Sequence, residues 1–153
     1  MLRACAIAAV ALACAACGGG GGKNATTAAS TTAIPPGCRF LLPRLERASL
    51  AIRSSSELVA RAANKKQLAQ RIAVEQTQLE RAAALVATGP TPEQLVPATK
   101  RLAAALHALS LDFAKAKRPA AAGNFAAASK LMTDRPVQLA IVRESQAIEK
   151  GCG

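Results

Sequence analysis

Two cysteines, Cys38 and Cys152, stand at the two ends of a stretch whose apolar residues recur at helical spacing. If they bond, their Cα atoms must lie within about 7 Å of each other. A chain of antiparallel helices meets that condition when the helix count is even. With three helices of about 20 residues, the two ends would sit roughly 30 Å apart. The pair therefore constrains topology more than any other feature of the chain.

The helical stripe can be followed by residue. Leu45, Ile52 and Val59 fall seven apart, and Leu68, Ile72, Leu79 and Val86 form a second series. The two are out of phase by one residue, which places a turn at Asn64-Lys65-Lys66; one long helix with a stutter over residues 44–87 is the alternative. Gly89-Pro90 ends the second helix, and Thr91 with Pro92 has the chemistry to cap a third. That third helix carries Leu95, Leu102, Leu106, Leu109 and Phe113, with Pro97 expected to kink its start and Pro119 to follow its end. After Gly123-Asn124, Phe125, Leu131, Met132, Leu139, Val142 and Ile148 mark a last stretch, bent near Asp134-Arg135-Pro136. Hydrophobic residues are 51% of the chain but aromatics only 2%, which suits closely packed Ala-rich helices rather than sheets. The expected fold is all-α, an antiparallel up-down four-helix bundle spanning residues 37–153.

The N-terminal segment reads as an address. Arg3 precedes the apolar run Ala4–Ala13, which is long enough for a signal-peptide core and too short for a membrane span. Ala15-Ala16-Cys17 then resembles the lipobox of bacterial lipoproteins. The resemblance implies cleavage of residues 1–16 and a diacylglyceryl group on the Cys17 sulfur. A second frame, Ala11-Leu12-Ala13 before Cys14, competes for the lipid. Residues 17–36 follow as a Gly, Ala and Thr linker that cannot build a core and is expected to act as a flexible tether. Export to an oxidising compartment is what makes Cys38 and Cys152 an expected disulfide.

The domain also resembles small exported all-helical lipoproteins of high-GC bacteria. The residues that carry this are Cys38, Gly89-Pro90, Ala122-Gly123-Asn124-Phe125 and Lys150-Gly151-Cys152-Gly153. Asn124 stands where an acidic residue is usual, and the first turn lacks the usual prolines. The resemblance implies a fold and an export route, and no activity.

No residue set has the spacing of a catalytic or metal site. His107 stands alone on the flank of the third helix, and Asp112 adjoins Phe113. Glu75 is expected on the surface beside Arg71, four residues earlier. Ser54-Ser55-Ser56 lacks the glycines of a nucleophile elbow, and Gly18–Gly22 lacks the Lys-Ser/Thr of a phosphate loop. Neither enzyme activity nor a cofactor is expected. The net charge of +11 favours anionic surfaces, while the scarcity of aromatics argues against nucleic acid. The expected function is a non-enzymatic binding module at the extracytoplasmic face of the cell membrane, anchored through Cys17. An envelope protein is one expected partner, and anionic lipid or wall polymer the other; a carrier of a small apolar ligand is a weaker third reading.

Overall fold

The computed structural model describes residues 34–153, so the expected signal peptide, the expected lipid site at Cys17 or Cys14 and nearly all of the expected linker lie outside the described residues. What is described is helical. Five α-helices, α1 (Cys38–Ala60), α2 (Lys65–Ala87), α3 (Val96–Ala121), α4 (Phe125–Met132) and α5 (Arg135–Cys152), are joined by short turns, with a 3-10 turn at Glu93–Leu95 before α3.

The slip in the apolar stripe is a turn between two helices, as the phase argument requires. Asn64 caps α2: its side chain accepts from the Gln67 amide at 3.0 Å, and the Gln67 side chain accepts in turn from the Ala63 amide at 3.1 Å. Asn124 does the same for α4, accepting from the Ala127 amide, so the missing acidic residue costs the helix no cap. Gly89 has φ +90°, the left-handed conformation that glycine adopts without strain.

Four expectations about helix ends need correction. Thr91 does not cap the third helix. Pro92 precedes the 3-10 turn, and the Thr91 hydroxyl is taken by Arg44. Pro97 occupies the first turn of α3, where its missing N–H is an orphan anyway, so it fits there without breaking the helix. Pro119 lies inside the last turn of α3 rather than beyond it. The last arm is not bent but broken into α4 and α5. Pro136 has no amide to donate back to Met132, and the chain restarts a helix at Arg135 instead.

The buried residues of α5 are Ile141, Glu144, Ser145, Ile148 and Cys152. Phe125 and Leu139, expected inside, are 47% and 58% exposed. Elsewhere the stripes hold: Ile72, Leu79 and Val86 on α2, and Leu102, Leu106, Leu109 and Phe113 on α3, are buried. On α1 the buried line is Leu41, Ala48, Ser55 and Val59, with Leu45 and Ile52 half-buried on its flank.

The Ala-rich α3 is central, packing against α2, α4 and α5, while α1 packs on α2. Buried Ala98, Ala105, Ala116 and Ala120 give α3 small faces against which neighbours can sit close. Pairs across the interfaces run in opposite senses. Ser56 meets Glu75 and Leu58 meets Arg71 between α1 and α2. Arg101 meets Glu144, and Leu95 lies against Gly151, between the start of the third arm and α5. Cys38 and Cys152 are joined by a disulfide with Cα atoms 5.6 Å apart, tying the start of α1 to the end of α5.

Candidate functional site

The polar residues inside the helical domain come first, because a buried ionisable group is where chemistry would be concentrated. Two carboxylates are buried, and both sit on apolar stripes. Glu75 lies between Ile72 and Leu79 on α2, and Glu144 between Ile141 and Ile148 on α5. The helical period alone could have flagged both.

Glu75 is 1% exposed, which corrects its expected place on the surface. Its Oε1 accepts from the Ser56 hydroxyl at 3.0 Å, and Oε2 is buried without a hydrogen-bond partner. Arg71, its expected partner, donates instead to the Leu58 carbonyl at 2.6 Å. Burial pushes the Glu75 carboxyl above its ordinary value of 4.5, and the hydrogen bond from Ser56 offsets only part of that. Of the three serines that form no nucleophile elbow, Ser56 thus meets a carboxylic group. Ser55 donates to the Ala51 carbonyl at 2.8 Å, so the hydrogen bond that reaches the carboxyl is the one from Ser56.

Glu144 has the opposite balance. Burial alone would raise its pKa, but hydrogen bonds from Arg101 Nε at 2.9 Å and from Arg143 at 2.8 Å outweigh it. Its carboxyl is held below the ordinary range. The two arginines are largely exposed and their charge reaches solvent, so the trio is a surface-capped ion cluster with a buried centre.

A third polar contact joins a helix to a turn. Arg44 on α1 donates through Nη2 to the Pro90 carbonyl at 2.6 Å and to Thr91 Oγ1 at 3.2 Å, and through Nε to the Phe40 carbonyl at 3.1 Å. It clamps the Gly89-Pro90-Thr91 turn onto α1 near the disulfide.

The remaining expected residues stay apart from one another. His107 is exposed on α3, and Asp112 pairs with Lys115 at 2.7 Å. Glu57 and Arg61 meet at 3.6 Å on the surface of α1, a weak i,i+4 contact. Among the described residues no group of three or more His, Cys, Asp or Glu side chains could hold a metal ion. No described helix is long and apolar enough to cross a membrane.

Two hollows stand out among the described residues. One of about 30 Å³ lies between α1, α3 and α4, lined by Ser56, Val59, Phe113, Ser129, Met132 and Thr133. The other, about 180 Å³, is a shallow recess around Gly89, Thr91, Val96 and Thr99. Small-molecule pockets run from roughly 300 Å³ upward, so neither recommends the carrier reading.

The end of the molecule opposite the disulfide gathers positive charge. Arg61 caps α1, Lys65 and Lys66 open α2, and Lys117 and Arg118 lie in the closing turns of α3. The Gly123 turn between α3 and α4 lies against Lys65, with a Cβ built on Gly123 falling 3.8 Å from Lys65 Cδ, which brings these helix ends together. Comparison with known protein families, with curated proteins and with solved structures finds no match to this chain.

Proposed function

We propose that the chain is a membrane-anchored envelope lipoprotein whose folded part is a non-enzymatic interaction module. In this reading residues 1–16 are removed, Cys17 carries the lipid, and residues 17–36 tether the helical domain outside the membrane. The domain itself is read as an antiparallel up-down four-helix bundle whose fourth arm is α4 followed by α5. The observation that carries the proposal is the Cys38–Cys152 bond, which belongs to an oxidising, exported setting. It agrees with the lipobox-like Ala15-Ala16-Cys17.

The test is the intact mass of the full chain recovered from the membrane fraction of an expressing bacterium. The expected product starts at Cys17, carries acyl chains and has Cys38 and Cys152 oxidised. An unacylated product beginning at Met1, or alkylation of both outer thiols, would overturn it.

A second reading, binding of anionic lipid or wall polymer, is favoured by one further observation. The net charge is +11, and positive residues gather at one end of the fold. Long-range attraction of this kind raises local counter-ion concentration and weakens with salt.

A further inference from the structure

We infer that the end of the helical domain opposite the disulfide is a docking face for a linear polyanion bearing phosphate charges, built from Arg61, Lys65, Lys66, Lys117 and Arg118. This rests on the anionic-surface reading above and gives it a location and a partner.

Arg61 makes only its long contact with Glu57. Among the described residues no carboxylate lies within ion-pair distance of Lys65, Lys66, Lys117 or Arg118. Nearer the disulfide, Glu144 occupies Arg101 and Arg143, and Glu46, Glu93 and Glu149 add negative charge to that half of the fold. Like charges held together without counter-charges repel, and an external anion relieves that repulsion.

The described chain enters the fold at Gly37, beside the disulfide, and α1 has 23 residues. At 1.5 Å per residue the basic end stands about 34 Å from that entry. If the segment before residue 34 holds the chain at a membrane, the basic end faces away from it. A polymer spread through the envelope can reach that end directly, whereas a lipid surface can be reached only by folding the domain back. Four of the five cations come from two different helices, and three of those four are exposed, which fits successive charges along a chain better than one enclosed anion.

Half-exposed Phe125 opens α4 at the same end and provides the discriminating residue. A lipid surface would take it up as an apolar wedge, while a phosphate polymer has no use for it.

The experiment measures binding of the full chain to inorganic polyphosphate and, separately, to phosphatidylglycerol vesicles, across a salt series. One variant carries Lys65→Gln, Lys66→Gln, Lys117→Gln and Arg118→Gln. A control of equal charge loss carries Arg39→Gln, Arg47→Gln, Lys100→Gln and Lys150→Gln, in the half of the fold nearer the disulfide. The wild-type chain is expected to bind polyphosphate with an affinity that falls as salt rises. The first variant is expected to lose about tenfold or more and the control less than about threefold, with Phe125→Ala unchanged. Equal losses in both quadruple variants would overturn the location while leaving anionic binding intact. No binding of polyphosphate by the wild-type chain would remove the anionic reading as well. Tighter binding to vesicles, weakened by Phe125→Ala, would assign the face to lipid and overturn the polymer. Helical content is checked by circular dichroism; if the quadruple variant loses it, Lys65→Gln and Lys117→Gln singly are read in its place.

Discussion

Ser56 on α1 donates a hydrogen bond to Glu75 on α2 at 3.0 Å, and that bond leaves the second oxygen of the same carboxylate buried with no partner. An ionised carboxylate in that position loses the solvation of one oxygen and regains little. The native state therefore holds that proton more tightly than the unfolded chain does, and the pKa lies above the ordinary value.

The sign of the pH effect follows from linkage. A group whose folded pKa is raised contributes stability that is complete below its unfolded value and is lost as pH rises through the folded value. Stability attributable to Glu75 should thus decline from acid toward neutral pH. Glu75→Gln keeps an acceptor for Ser56 and removes the charge. It is expected to stabilise the fold by about 1 kcal/mol near pH 8 and to flatten this slope. Urea unfolding followed by circular dichroism at several pH values checks it; an unchanged slope would show that Glu75 is ionised at no cost.

Glu144 runs the other way. Its carboxyl is held below the ordinary range because the hydrogen bonds from Arg101 and Arg143 exceed the effect of burial. Its contribution is present above the unfolded carboxylate pKa and is lost as pH falls through the lower folded value. Replacing both arginines by Met should raise the Glu144 pKa and move acid unfolding to higher pH. Arg101→Met alone should move it less, since Arg143 still bonds Oε1 at 2.8 Å. Acid titration of helicity in the three proteins checks the order; equal midpoints would mean that solvent replaces the arginines without loss.

These two carboxylates also mark the boundary of what the sequence discloses. The turn at Asn64, the left-handed Gly89 and the placement of Cys38 against Cys152 all follow from local chemistry or from a covalent constraint, and they are legible in the chain. The positions of Glu75 and Glu144 on apolar stripes are legible too. Their partners are not, because Ser56 is 19 residues from Glu75 and Arg101 is 43 from Glu144, and only helix packing brings them together. The same holds for Arg44, which reaches 46 residues to the Pro90 carbonyl. Pro136 announces a disturbance in the last arm. Whether the chain bends or breaks there depends on how α4 and α5 each seat on α3, which no local signal encodes. The basic end is partly legible: Lys65-Lys66 stands out as a pair, but Lys117 and Arg118 join it only through the fold.

The Arg44 clamp can be tested at the turn it holds. At Gly89 a Cβ would meet a backbone with φ +90° and would come within 2.8 Å of Arg44 Nη1. At Gly123 the φ is +83°, but the nearest neighbour is Lys65 Cδ at 3.8 Å. Both alanine substitutions incur the left-handed strain of about 1–2 kcal/mol. Only Gly89→Ala also displaces the guanidinium. It should therefore cost more than Gly123→Ala, and the excess should vanish in an Arg44→Ala background. A double-mutant cycle from denaturant unfolding reads this directly; a Gly89→Ala cost that is the same with and without Arg44 would break the link between them.

The disulfide is the last test, and its expected effect is large because the loop is long. Cys38 and Cys152 are 114 residues apart and both are buried, in a core that relies heavily on alanine. Alanine removes little apolar area per residue, so such a core contributes less per helix than one rich in Leu or Phe. Constraining the unfolded chain over that loop has an upper value of about 4–5 kcal/mol, and measured losses for native disulfides run about 2–5 kcal/mol. Cys38→Ala with Cys152→Ala should lower the unfolding free energy by an amount in that range. Reduction of the wild-type protein should reproduce most of the loss. A second consequence separates constraint from packing: hydrogen exchange should rise most at the start of α1 and the end of α5, where the bond holds two chain ends together, and least in α3. A uniform rise, or a loss below about 1 kcal/mol, would show that the helices hold their arrangement without the covalent link.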